Sequence, residues 1–213
     1  IEAYTGVEPL VIPNVVNEED FFYAEKEQNK SLQLILVGIY DSRKGADYLL
    51  RVLPSFLKKY PDTILHLAGE ATAERMSELQ HIITSAGIEK AVVFHGTLNA
   101  SALCELYHEC DMYVCASEWE SFGLTMLEAL FCGLPVLSTN CGGVLEFMNN
   151  ENGLLILNTR TDEVLLNGLI EMANQLPSFD RRSISVAVNK QFNRNKIKDN
   201  YYSLYKQILQ AEV

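Results

Sequence analysis

The 213-residue chain lacks the marks of several large protein classes. No apolar run approaches the ~20 residues that a membrane-spanning helix needs. Among its 5 cysteines, Cys104, Cys110, Cys115, Cys132 and Cys141, no two stand at Cys-x-x-Cys spacing. The odd count and the mostly apolar neighbours point to buried free thiols in a reducing compartment, not to disulfides or zinc. Positive charge is scarce: 17 Lys and Arg face 28 Asp and Glu, for a formal net charge of -11. That balance argues against a nucleic-acid backbone or an anionic membrane as the main partner, yet leaves room for one small anion in a local pocket. The dinucleotide fingerprint Gly-x-Gly-x-x-Gly is absent after the first apolar run, as is the P-loop pattern, which sets a dinucleotide-dependent oxidoreductase aside. There is no Asp-x-Asp to hold a divalent metal. The start, Ile1-Glu2-Ala3-Tyr4, has neither an initiator Met nor a basic segment, so it is not a signal peptide and reads as a cut into a longer protein. Asn29-Lys30-Ser31 and Asn99-Ala100-Ser101 match the glycosylation pattern, but without a secretion signal both read as chance.

What is present is alternation. Residues 1–30, with Pro9, Pro13 and Glu18-Glu19-Asp20, read as a linker or docking segment outside the core. Short apolar runs then recur at 32–37, 63–68, 91–95, 111–116, 135–138 and 153–156. Several close on a glycine, and the spacing predicts helices between them. Residues from about 162 to 210 read as helical, with Ile197, Tyr201, Leu204, Tyr205, Ile208 and Leu209 on one stripe. Continuous apolar strands separated by helices imply an α/β fold: a Rossmann-like parallel sheet of about six strands with helices on both faces. The expected division is a segment 1–30, a domain 31–192 and a C-terminal helix 193–213. In such sheets ligands bind at the carboxyl ends of the strands, where Gly38, Gly69, Gly96, Ser117 and Thr139 fall.

The segment Glu120-Ser121-Phe122-Gly123-Leu124-Thr125-Met126-Leu127-Glu128 places two carboxylates across the start of a predicted helix. Glu120 sits on the entering loop and Glu128 a little more than a turn inside. The unpaired N–H groups between them offer an anion site, flanked by acceptors for hydroxyls. Taken alone, the spacing reads as an amphipathic helix with two solvated glutamates.

The order of motifs resembles the C-terminal, donor-binding half of retaining GT-B glycosyltransferases, in the GT4 or "glycosyl transferases group 1" family. Ile12-Pro13-Asn14-Val15-Val16 with Phe21 or Phe22 resembles the family's linker, and Gly38 with Lys44-Gly45 its phosphate loop. Phe94-His95-Gly96 resembles its base-binding strand end. Glu120 through Glu128 is similar to its Glu-x7-Glu signature. Cys132-Gly133-Leu134-Pro135-Val136 and Gly142-Gly143-Val144-Leu145-Glu146 resemble the segments that follow.

The resemblance implies a nucleoside-diphosphate sugar as donor and no metal or other cofactor. Glu120 would bind sugar hydroxyls, helped by the N–H groups of Phe122 and Gly123. Those of Leu124 and Thr125 would face the diphosphate. Glu128 would accept from the ribose hydroxyls, and Lys44 would neutralise phosphate charge. Gly38, His95 (by its backbone) and Gly96 would line the site. His66 reads instead as a packed, hydrogen-bonded side chain. Trp119 fits a sugar pocket and an interface equally. Ile39 stands where the family places its diphosphate arginine; Arg43 is near enough to compensate but reads more simply as exposed, and a cation from the absent domain or a different way of holding the donor stay open. Implied with these are an N-terminal GT-B domain as partner, cytoplasmic location, and peripheral contact with the inner membrane face through that absent half. The chain alone would transfer little or no sugar. An epimerase or phosphorylase on the same architecture, a non-catalytic nucleotide-sugar-binding module, and a hydrolase using Glu118, Glu120 or Glu128 remain open.

Overall fold

The computed structural model describes residues 10–26, 31–38 and 40–211. Ile39, Pro9 and the chain start lie outside them, as does most of the Asn29 glycosylation pattern. Six strands, β1 (Gln33–Val37), β2 (Ile64–Ala68), β3 (Val92–Gly96), β4 (Met112–Cys115), β5 (Val136–Thr139) and β6 (Gly153–Ile156), form one parallel sheet in the order β3-β2-β1-β4-β5-β6. This is the expected Rossmann-like arrangement. The helices are α1 (Ala46–Leu57), α2 (Ala73–Ala86), α3 (Ala100–Glu109), α4 (Leu124–Phe131), α5 (Asp162–Gln175), α6 (Arg181–Phe192) and α7 (Arg194–Ala211).

Strand periodicity divides the core into two layers. Leu34, Leu36, Leu65, Leu67, Met112, Val114 and Leu137 face α1, α2 and α5. Ile35, Ala68, Tyr113, Cys115 and Val136 face α3, α4 and α6. A run such as Leu34-Ile35-Leu36 is apolar at every position because both sheet faces are covered. The order reverses between β1 and β4, so the loops leaving these two strands diverge and open a crevice at their carboxyl ends.

The strand ends are stitched together tightly. Gly38 donates its N–H to Ala68 O at 2.9 Å, and Gly69 donates to Gly96 O at 2.8 Å. A Cβ on Gly69 would lie 1.8 Å from Gly38 O, and its φ is +145°. No side chain fits there, so the two loops can touch only through a glycine.

Two expectations need correction. The segment expected outside the core contributes Val16 and Phe21 to it, both buried. Phe21 packs on Tyr107 with ring centroids 6.1 Å apart, because α3 leaves an apolar gap that the sheet does not fill. The C-terminal region is helical as expected, in three α-helices of which α7 falls within the expected 193–213, and it is the burial of its stripe that needs correction. Asp180 caps α6 by accepting from Ser183 N–H, and Asn193 Oδ1 accepts from Lys196 N–H to start α7. Along the predicted stripe only Ile197 is buried, whereas Tyr201, Tyr205, Ile208 and Leu209 are exposed. No helix among the described residues is long and apolar enough to cross a membrane.

Gly69→Ala is expected to lower stability by roughly 2–4 kcal/mol, read as a fall in the midpoint of thermal unfolding. An unchanged midpoint would mean that the Gly38–Gly69 contact yields easily.

Candidate functional site

The crevice between β1 and β4 gathers most of the expected residues. After β1, Asp41 accepts the Lys44 N–H at 3.0 Å and closes a short 3-10 turn, Ser42–Lys44. The Lys44 stem runs past Gly38, whose hypothetical Cβ would lie 3.9 Å from Lys44 Cδ and Cε. It ends on Glu120, with Nζ 2.7 Å from Oε1 and 2.9 Å from Oε2. Ser117 Oγ donates to Glu120 Oε1 at 2.8 Å. The Glu120 backbone is fixed on both sides: its N–H donates to Cys141 O at 2.7 Å, and its carbonyl accepts from Gly143 N–H at 3.1 Å. A Cβ on Gly143 would lie 2.1 Å from Ser121 O, so this crossing too needs a glycine. Glu120 is therefore a well-held carboxylate with its cation already in contact. Its side chain is 11% exposed and that of Lys44 31%.

α4 begins four residues later. Gly123 is its N-cap, with φ 94° and no side-chain cap. A Ser, Thr, Asp or Asn there would typically add about 1 kcal/mol to helix stability, but its oxygen would occupy the first N–H groups. Among the described residues none accepts the N–H of Phe122, Gly123, Leu124 or Thr125. These donors converge where the helix dipole is positive. The helix end is pinned from below. Tyr113 OH on β4 bonds Thr125 Oγ1 at 2.8 Å and Val37 O at 3.2 Å, and Tyr107 OH donates to Thr125 O at 3.0 Å. Burial holds both phenols well above their ordinary pKa, so they stay protonated. Phe122 packs its ring between Phe147 and Phe192, which leaves its backbone at the loop surface.

Glu128 lies one turn further along α4. Burial pushes its carboxyl up to about 7, and no cation offsets this. It makes no hydrogen bond or ion pair to a described residue, and its charge acts on the neighbouring Tyr107 and Cys132. The two glutamates thus differ sharply: one is paired in place, and the other lacks partners.

Gly96 and His95 close the β3 side. A Cβ on Gly96 would meet nothing within 4 Å. The His95 ring belongs to a relay across the sheet. Gln33 Nε2 donates to Ser31 O, which orients its amide, so Gln33 Oε1 accepts from His66 Nε2 at 2.8 Å. His66 Nδ1 is then an acceptor, and His95 Nε2 donates to it at 2.9 Å. Burial, with His95 adding to it, pushes His66 down to about 4, so the pair is neutral near pH 7. His66 is the packed, bonded side chain expected of it. Arg43 does not join the cluster. Its guanidinium is 63% exposed and pairs with Asp41 at 2.7 Å. Trp119 and Leu124 are exposed beside the loop.

Sequence reasoning missed Tyr113 and Arg160, and it placed Ser117 at the crevice without its bond to Glu120. Ser117 stands three residues before Glu120, a spacing at which a hydroxyl and a carboxylate often meet. Tyr113 looks like any apolar strand residue until its hydroxyl is placed. Arg160 donates to Ser42 O at 3.2 Å and to Ala116 O at 3.4 Å, tying the Lys44 turn to the end of β4. No local pattern signals that contact, which joins residues far apart in the chain.

Residues 17–183 match the family model described as Glycosyl transferases group 1. An uncharacterized glycosyltransferase of Methanocaldococcus jannaschii is 30% identical over 165 residues, covering 76% of this chain and 42% of that protein. The chain therefore spans less than half the length of that relative. The crystal structure of the C-terminal domain of a group 1 glycosyl transferase from Francisella tularensis superposes with a TM-score of 0.73 at 26% identity, covering 84% of this chain and 99% of that one. A glycosyltransferase from Rickettsia africae superposes with a TM-score of 0.82 over 94% of this chain and 57% of that chain. Its 21% identity speaks to the fold alone.

The environment of Glu128 sets a stability cost. Its carboxyl ionises at 4.5 in the unfolded chain and at about 7 in the fold, so stability is lost as pH rises between these values and then stays level. Glu128→Gln is expected to stabilise the protein by about 1 kcal/mol at pH 5 and by roughly 3 kcal/mol at pH 8. Urea unfolding at the two pH values measures the difference; an advantage that does not grow with pH contradicts it.

Proposed function

The chain belongs to the glycosyl transferases group 1 family, and from that premise we propose that it is the donor-binding half of a retaining, nucleotide-sugar-dependent glycosyltransferase. The observation that carries this reading is the uncapped start of α4, with free N–H groups between a paired and an unpaired glutamate. The match over 99% of a C-terminal domain supports the choice of half. On this reading residues 1–30 lead in from an N-terminal domain that supplies the acceptor site, 31–192 hold the donor, and the exposed stripe of α7 faces outward for docking. The relation of the chain to a membrane would be set by that other half.

Glu120 would bind hydroxyls of the donor sugar, and the Phe122 and Gly123 N–H groups would hold the same sugar. Leu124 and Thr125 N–H would face the diphosphate. Gly38 leaves room for the phosphates beside Lys44, and His95 and Gly96 would border the base. As the glycosidic C–O bond breaks, the electron pair stays on the diphosphate oxygen. Donors already aimed at that oxygen stabilise it without reorganising. Lys44 would then share its charge between Glu120 and the leaving group. Arg43 would contribute only after leaving Asp41. No step in this scheme needs a metal.

Glu128 would accept from two ribose hydroxyls. A carboxylate with no partner is suited to a vicinal diol, because charge-assisted hydrogen bonds are about twice as strong as neutral ones. Bound hydroxyls would favour the ionised form, so binding draws Glu128 from partly protonated to charged.

Calorimetric titration with UDP-, GDP- and ADP-sugars tests the reading. A nucleotide-sugar keeps its diphosphate charge between pH 6 and 8. Affinity for the preferred donor should therefore rise about tenfold across that range as Glu128 ionises, and Glu128→Gln should bind more weakly with a flat profile. Binding by none of the three donors, or equal binding by wild type and variant at pH 8, contradicts the assignment.

Glu120→Gln separates binding from chemistry. In the full-length enzyme it should cut kcat by a hundredfold or more while changing nucleotide affinity less than threefold. Unchanged turnover in the variant, measured by product formation, would contradict the role of Glu120, and no product from the wild type would favour a non-catalytic binding module.

A further inference from the structure

At the far end of α4 a second cluster of side chains has no part in the proposed transfer. Cys104 and His108 stand four residues apart on α3, so both leave the same face of the helix. Cys132 follows the last residue of α4, and its N–H donates to Glu128 O at 3.1 Å. Cys104 Sγ lies 3.6 Å from Cys132 Sγ and 3.8 Å from His108 Nε2. All three donor atoms fall within 4.8 Å of one another. No other group of three or more His, Cys, Asp or Glu donors meets this closely among the described residues.

The two separations at Cys104 are close to the edges of a coordination tetrahedron. Metal–sulfur bonds of about 2.3 Å and a metal–nitrogen bond of about 2.0–2.1 Å give an S···S edge of about 3.8 Å and an S···N edge of about 3.6 Å. Burial of two small thiols alone would account for Cys104 and Cys132 as packing residues. The imidazole beside them adds a third donor of a type that such an ion takes. His108 Nε2–H donates to Phe22 O at 2.6 Å, so an ion would displace this hydrogen bond, with the His108 proton moving to Nδ1, and leave the carbonyl beside the fourth position. His108 is only half-buried and Phe22 is exposed, which gives an ion a way in. Two thiolates and a divalent cation sum to zero charge, which suits a site among apolar side chains.

We infer that Cys104, His108 and Cys132 form a binding site for one thiophilic divalent ion of the zinc class, with the fourth position facing the Phe22 carbonyl. The thiols give up their protons to solvent on binding, and the neutral imidazole ligates through Nε2 with its proton on Nδ1. The ion would join α3, the end of α4 and the segment around Phe22, which otherwise meet through packing and single hydrogen bonds. It lies outside the donor site and takes no part in breaking the sugar bond.

Cobalt(II) titration of the reduced, chelator-treated protein tests this directly. One equivalent should produce a thiolate-to-cobalt charge-transfer band and the intense visible bands of tetrahedral cobalt, and zinc(II) should abolish both. Cys104→Ser and Cys132→Ser should each lose the charge-transfer intensity, and His108→Asn should weaken binding tenfold or more. Cys115→Ala, at the separate Cys115–Cys141 pair, should keep the spectrum. Zinc at a hundredfold excess over its Kd should raise the unfolding midpoint of wild type by roughly 5–10 °C. Absence of a cobalt–thiolate band in wild type overturns the site, whatever the variants do. So does a band that survives Cys132→Ser, or loss of two titratable thiols to a Cys104–Cys132 disulfide in protein purified under reducing conditions.

Discussion

A helix that starts at the carboxyl edge of a parallel sheet with its first N–H groups unpaired is costly to keep, and the site is built around keeping it. The usual remedy is a side-chain cap, and Gly123 withholds one. The compensation comes from the carbonyl side of the helix. Tyr107 donates to Thr125 O, and Tyr113 braces Thr125 Oγ1 against the end of β1. Phe122 anchors the entering loop by its ring. Each of these contacts fixes the position of the helix tip without using its N–H donors. Glu120 is held in the same way, by Cys141 O and Gly143 N–H on its backbone, which leaves the carboxylate to Lys44 and Ser117.

The two glutamates show how environment separates residues of one type. Glu120 meets a cation at 2.7 Å and a hydroxyl donor, so its charge is satisfied within the fold. Glu128 has burial and no partner, which pushes its carboxyl up to about 7. The fold would be more stable with a neutral side chain there. Such strain is expected where a residue is kept for what binds it and not for what it packs against. The arrangement also gives the two acids different sensitivities: the first to loss of Lys44, the second to pH.

Much of this was legible in the chain. The six strands fall within a residue or two of the apolar runs, because each run is short and most are closed by a glycine or polar residue that a buried strand cannot continue through. Asn99 caps α3, accepting from Ala102 N–H. Glu120 and Glu128 bracket a helix start as expected, although their spacing alone fits any amphipathic helix and only the order of the neighbouring motifs singled it out. What escaped are contacts between residues distant in sequence. Val16 and Phe21 enter the core only because α3 leaves a gap. The stripe on α7 has the right period but no neighbour, and period alone does not report what lies opposite. Cys104 and Cys132 are 28 residues apart, so no spacing rule for ligands could pair them.

The distances along α4 connect these two levels. Its eight residues span about 12 Å, too short to bend appreciably. Its first turn carries the free N–H groups, its second carries Glu128, and Cys132 follows its last residue. A helix this short moves as a rigid rod. Whatever fixes Cys132 relative to α3 therefore fixes the direction of the N–H groups at the other end, and the tilt of Glu128 between them. The Phe22 carbonyl brings the leading segment to that same end through His108. A shift of the segment would thus reach α4 at its tail, while Tyr107 and Tyr113 hold Thr125 at the uncapped tip. The polar tip and the sulfur-rich tail are two ends of one mechanical element, and the packing of the tail sets how well the tip is aimed.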